Sequence, residues 1–110
     1  RFTVGTEETN AIQVAVQVNT AGGEALGEVA LARVWLADSA GTGEAAVAPS
    51  GGVTIDTGDI LEEISGDLHW VLLTDITGLL ELTITEVAAK SFWLHVYVDG
   101  RLSSTEVEFV

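Results

Sequence analysis

"SFWLHVYVDGRLSSTEVEFV", residues 91–110, holds two alternating runs on either side of Asp99-Gly100. A period of two is the mark of a strand with unlike faces. Asp-Gly between two such runs favours a two-residue type I′ turn, because both central residues must take positive φ. Counting back from that turn sets Tyr97 opposite Leu102, His95 opposite Ser104, Trp93 opposite Glu106 and Phe92 opposite Val107. Phe92, Leu94, Val96 and Val98 form the more apolar face and are expected in a core. Trp93, His95 and Tyr97 are then expected to look outward, with Leu102 beside Tyr97.

The same period governs the rest of the chain. "AIQVAVQV" (11–18) puts Ile12, Val14, Val16 and Val18 on one face, and "NTAGGE" (19–24) is a turn cluster. "EVALARVWLA" (28–37) is apolar on both faces except at Arg33, as befits a central strand. Residues 38–52, "DSAGTGEAAVAPSGG", read as a long loop of small residues carrying the only proline. "VTID" (53–56), "LHWVLLT" (68–74) and "LLELTITE" (79–86) are further strands. "DILEEIS" (59–65) fits either a strand or a helical turn, since Ile60 and Ile64 are four apart. About seven or eight short strands with regular turn signals mean an antiparallel sandwich or a barrel. The expected fold is the sandwich: residues 10–110 form the domain, and residues 1–9 are an extension or linker.

"LLTDITGLLELTIT" (72–85) poses the question of enzyme or scaffold, because it sets Asp75 and Gly78 among Leu and Ile. Asp75 could be a catalytic or metal-binding carboxylate. The preferred reading is a turn, with the Asp side chain accepting a backbone N–H two or three residues on and Gly78 supplying a positive φ.

Composition limits the partners. The chain has 110 residues, one domain by length, and its 47% apolar content is enough for a core. It has no Cys, so neither disulfides nor thiolate chemistry enter. Seventeen acids against four bases give a formal charge of −13. Nucleic-acid binding requires Lys and Arg to displace counterions from phosphates, so DNA, RNA and anionic lipid are excluded as direct partners. No apolar run approaches the ~20 residues that span a bilayer, and no signal peptide is visible. With Arg1 in place of a start Met, the chain is expected to be processed or excised from a longer one.

Three constellations invite chemistry. Gly41 to Ala46 spell G-x-G-x-x-A, but Glu44 sits where a phosphate would come and Pro49 to Gly52 forbid the helix a dinucleotide site needs. His69 and His95 are the only imidazoles. A His95–Ser104 pair would lie on a flat sheet without a pocket, so a half-exposed structural His is expected instead. Asp56, Asp59, Glu62, Glu63 and Asp67, or Asp38, could supply oxygens to Ca²⁺, yet their spacing matches no EF-hand loop and solvated carboxylates are the simpler reading. No catalytic, metal-binding or cofactor-binding residue is expected, and no cofactor.

"VAVQVNTAGGEALGEVALARVWLAD", "LTDITGLLELTITE" and the closing "DGRLSSTEVEF" together resemble the bacterial immunoglobulin-like domains of adhesins and tailed-phage virion proteins. The matching positions are the Asn19–Gly22 turn, the Thr74-Asp75-x-x-Gly78 turn and the last strand with Val107 and Phe109. "VWLAD" before a Gly/Ala loop, and "ITE" before an aromatic-rich strand, look most like phage head-decoration or head-fibre domains. Adhesin domains come in tandem arrays, whereas this chain has no internal repeat. The resemblance implies an immunoglobulin-like sandwich on a capsid surface, without catalytic residues, docking to a capsid or other virion protein and forming a homo-oligomer. The alternative it leaves is a binding module on a bacterial cell surface that recognises a host glycan or protein. On either reading Trp93, His95, Tyr97 and Leu102 are the candidate interface. Asp75, Gly78, Asp99 and Gly100 are structural turns. A competing reading of the stripe is that another strand or the long loop covers it.

Overall fold

The two alternating runs of the hairpin become strands β8 (Lys90–Val98) and β9 (Arg101–Phe109) in a computed structural model of residues 1–110. Their register is the one counted from the turn, with Tyr97 opposite Leu102, His95 opposite Ser104 and Phe92 opposite Val107. Asp99 and Gly100 take φ of 51° and 80°, as a type I′ turn requires.

Seven further strands precede this hairpin: β1 (Phe2–Val4), β2 (Ala11–Gln17), β3 (Leu31–Ala37), β4 (Val53–Thr57), β5 (Asp59–Ser65), β6 (His69–Leu73) and β7 (Leu79–Thr85). All pairings are antiparallel, in one sheet ordered β1-β2-β7-β4 and a second ordered β5-β6-β3-β8-β9. The result is an immunoglobulin-like antiparallel sandwich of nine strands. β3, apolar on both faces except at Arg33, is the centre of the larger sheet. Residues 59–65 resolve as an edge strand, not a helical turn, and two bulges break its pairing with β6.

One correction concerns the N-terminus. Phe2–Val4, expected within an extension or linker, pair with Val14–Val16 as edge strand β1, and Gly5 continues the pairing by donating to the Gln13 carbonyl. A three-residue strand is too short to carry an alternation signal. It forms because β2 offers a row of free backbone groups and Phe2 packs on the core.

The core is the sum of the inward faces. Ile12, Val14 and Val16 of β2 and Leu80, Leu82 and Ile84 of β7 meet Val34 and Leu36 of β3, Trp70 and Leu72 of β6, and Phe92, Leu94 and Phe109 of the hairpin. Phe92 and Phe109 pack edge to face at 6.3 Å. Each such side chain contributes about 1.5–3 kcal/mol on full burial. Trp70 buries completely because its indole N–H finds an acceptor, Glu63 Oε2 at 3.0 Å.

The chain crosses between the sheets five times, and three of the crossings are short. β4 passes to β5 through Gly58 alone, whose φ is 112°; a Cβ there would lie 2.6 Å from Leu80 Cδ2 and 2.7 Å from the Leu73 carbonyl oxygen. β6 passes to β7 through Asp75–Gly78. Asp75 Oδ1 accepts the Thr77 N–H at 2.8 Å, the Leu79 N–H at 3.0 Å and the Thr77 hydroxyl at 2.6 Å, while the Asp75 carbonyl takes the Gly78 N–H. The Thr77 hydroxyl, then the Leu79 and Thr77 amides, hold the Asp75 carboxyl below its usual range. Every contact of Asp75 Oδ1 is local, as a turn residue's should be. β7 passes to β8 beside Glu86, treated below with the long loop it anchors.

Candidate functional site

The outer face of the five-stranded sheet is where side chains of unusual chemistry gather. Odd-numbered positions of β3, β6 and β8 point away from the core, because their even-numbered neighbours fill it. That places Leu31, Arg33 and Trp35 in the middle, His69 to one side, and His95 and Tyr97 to the other. In register, Trp35 stands between His69 and His95, and Arg33 stands opposite Tyr97.

The loop 38–52 decides what of this face remains open. It folds back over the sheet: the Ala45 N–H donates to the Leu36 carbonyl, Ala45 inserts into the core, and Asp38 Oδ2 accepts the Ala46 N–H. Above the strands, the Gly41 N–H donates to His95 Nε2 at 2.8 Å and Trp35 Nε1 donates to the Thr42 carbonyl at 2.9 Å. At its far end Glu86, itself buried, accepts the Ser50 N–H and hydroxyl and the Ala88 N–H. The Ala88 amide first, then Ser50, keep the Glu86 carboxyl below the usual glutamate range despite burial.

His95 therefore is not an outward interface residue. It is 0% exposed, stacked on Trp35 with ring centroids 5.0 Å apart, and both ring nitrogens are engaged. With Nε2 accepting from Gly41, its proton sits on Nδ1, facing the Trp93 carbonyl at 3.1 Å. Its strand register with Ser104 is as counted, but no hydrogen bond joins the two side chains. Trp93 is half-buried. Tyr97 and Leu102 are 45% and 50% exposed, so the expected stripe shortens to its end nearest the Asp99-Gly100 turn.

Beside that end lies a cleft of about 510 Å³ lined by Arg33, Trp35, Gly43, Glu44, His69 and Tyr97. Arg33 Nε donates to His69 Nε2 at 3.0 Å, so that nitrogen carries a lone pair. His69 Nδ1 then holds the proton and donates a hydrogen bond to Glu44 Oε2 at 2.8 Å. The hydrogen bond from His69, and after it one from Ser65, hold the Glu44 carboxyl below its usual range. The wall is a relay of cation, neutral imidazole and carboxylate between two aromatic rings. Its net formal charge is zero.

Of these six residues, the outward hairpin stripe identified Tyr97 alone. Arg33 carried a signal, as the one charged residue in an apolar central strand, and His69 was noted only as an imidazole. Gly43 and Glu44 belong to the G-x-G-x-x-A letters, and the structure puts them in a loop that walls a sheet-face cleft. Nothing in their spacing points to this role, because the path of a 15-residue loop is set by the surface it lands on.

Of the acidic residues considered for Ca²⁺, Asp56, Asp67 and Glu63 are engaged separately. Asp56 accepts from Gln13 and Thr83, Asp67 from the Val53 N–H, and Glu63 from Trp70 and the Asp67 N–H. No three of the His, Asp and Glu side chains converge on a point that could hold a metal ion. No known protein-family model matches the chain, and comparison with curated proteins finds no significant relative.

Proposed function

We propose that this domain is a non-enzymatic docking module of a virion surface, attached through the outer face of its five-stranded sheet. The observation that carries the reading is the cross-strand pair Tyr97–Leu102, both about half exposed, with Leu31 exposed on the neighbouring strand. Aromatic anchors with aliphatic neighbours are the residues on which interface energy concentrates. Supporting it, the two imidazoles of the chain have both ring nitrogens committed to structural hydrogen bonds, which leaves neither as a ready base. The resemblance of the sequence to phage head-decoration domains supplies the expected partner, a capsid or other virion protein. High copy number on a symmetric shell would let weak single contacts add by avidity.

Tyr97→Ala and Leu102→Ala test this reading by binding to purified capsids and by native mass. Loss of about 2 kcal/mol in docking, roughly thirtyfold in affinity, with an unchanged thermal melt is the expected result. Full capsid binding by both variants rejects it.

A second reading, a cell-surface recognition module, is favoured by one specific observation, the Arg33–Glu44 cleft. A concave site with aromatic walls and a few convergent polar groups is the usual form of a small-ligand site.

A further inference from the structure

The cleft has binding capacity that the fold itself does not use. Arg33 spends only Nε on the protein; its two terminal nitrogens have no protein acceptor, although the chain carries seventeen acids. Glu44, the carboxylate nearest to hand, is held by His69 instead of by Arg33. A carboxylate has about four lone-pair sites, so Glu44 keeps acceptor capacity after His69 and Ser65 are served. The Tyr97 hydroxyl makes no hydrogen bond within the chain, and the residue is 45% exposed. Trp35 is fixed in place from behind by the His95 stack and at its edge by the Thr42 carbonyl. The site thus offers a fan of donors, an acceptor and flat apolar walls, with Trp35, Arg33 Nε and Glu44 held by contacts within the chain.

Charge selects among the ligands such a site could take. Arg33 and Glu44 cancel, and the surrounding surface carries a formal −13, so an anionic ligand would gain from one guanidinium and be repelled by everything else. A purely apolar ring would strip water from Arg33 and Glu44 and return no hydrogen bonds. A cavity of about 510 Å³ falls within the ~300–1,000 Å³ of small-molecule sites, too small for a folded partner but sufficient for one or two sugar rings.

We propose that the cleft binds a neutral, hydroxylated ring, a pyranose unit of a saccharide. The ring oxygen and hydroxyls accept from the terminal nitrogens of Arg33, other hydroxyls donate to Glu44, and the C–H face of the ring lies against Tyr97 and Trp35. His69 is a positioning residue: neutral and bonded on both sides, it keeps Arg33 and Glu44 apart so that they do not close on each other as an ion pair. The assignment rests on the second functional reading, and its test is independent of capsid docking.

The test is an amide-resolved NMR titration of the intact chain with the methyl glycosides of glucose, galactose and N-acetylglucosamine. Glucuronic acid and an apolar cyclohexane alcohol are run alongside. The expected result is saturable shifts at Arg33, Gly43, Glu44 and Tyr97 with at least one neutral glycoside. Arg33→Ala and Glu44→Gln should each weaken that binding by roughly tenfold or more, as loss of a hydrogen bond to a charged group does. Leu102→Ala, outside the cleft, should leave it unchanged while still reporting on docking. Three results overturn the proposal: no saturable shift with any neutral glycoside, binding that survives both Arg33→Ala and Glu44→Gln, or tighter binding of glucuronic acid or the apolar alcohol than of every neutral glycoside.

Discussion

Gly78 and Asp75 sit three residues apart and do different work. Gly78 has φ of 84°, and a Cβ added there would meet Leu26 Cβ at 3.0 Å and the Val18 carbonyl oxygen at 3.1 Å. Any side chain pays first for the left-handed backbone, about 1–2 kcal/mol, and then for moving packed neighbours. Asp75 contributes acceptors to a turn whose backbone bonds, Asp75 N–H to the Leu79 carbonyl and Gly78 N–H to the Asp75 carbonyl, remain without it. Gly78→Val is therefore expected to destabilise the fold well beyond Asp75→Ala. Urea melts of the two variants check the order, and equal midpoints would contradict it. The turn was legible from residue types because Asp and Gly act on their own immediate backbone. Burial of His95 was not legible, because the covering group, the Gly41 amide, lies 54 residues away along the chain.

At the scale of the element, the loop 38–52 is held in its middle and at its far end. Ala45 anchors its middle in the core, and Glu86 clamps Ser50 at its end. The Glu86 carboxyl is depressed in the folded state, so the stability it adds is fully present above its unfolded value, near pH ~4.3, and is lost as pH falls through the lower folded value. Glu86→Gln keeps one acceptor oxygen but turns an amide donor toward the Ser50 and Ala88 donors. The stability gap between wild type and Glu86→Gln should be widest from about pH 5 upward and should shrink below about pH 4. Urea midpoints across that range test it; a gap independent of pH would refute the clamp. The strands themselves were readable from alternation wherever they ran five residues or more with one face in the core. β1 and the fate of 59–65 were not: the first is too short to alternate, and the second is an edge strand whose seven residues include none that is buried.

For the molecule as a whole, charge and apolar surface pull in opposite directions. A formal −13 per copy repels other copies and other polyanions alike. Any self-association through Tyr97 and Leu102 must win by apolar burial against that repulsion. It should therefore strengthen, not weaken, as salt is raised from low ionic strength, where the Debye length is ~30 Å, to ~0.15 M, where it is ~8 Å. Sedimentation at several salt concentrations reads this directly, and dissociation on adding salt would show that ion pairs hold the contact instead. For the same reason no sequence-specific DNA binding is expected in gel-shift assays at moderate salt.

The amino-acid sequence by itself determined the all-β class, the register of the last hairpin and the turns at Asp75–Gly78 and Asp99–Gly100, and left sandwich and barrel for the structure to decide. These follow from side-chain alternation and from backbone preferences, which act over a few residues. Tertiary structure alone decided that the loop would cover His95 and leave Tyr97 open. It also decided that Glu44 would reach His69, and that Arg33 would face a cleft with its terminal nitrogens unpaired. Those outcomes depend on which distant segments share a surface, and that is set only when the two sheets close and the loop between β3 and β4 must satisfy its own amides on whatever lies beneath it.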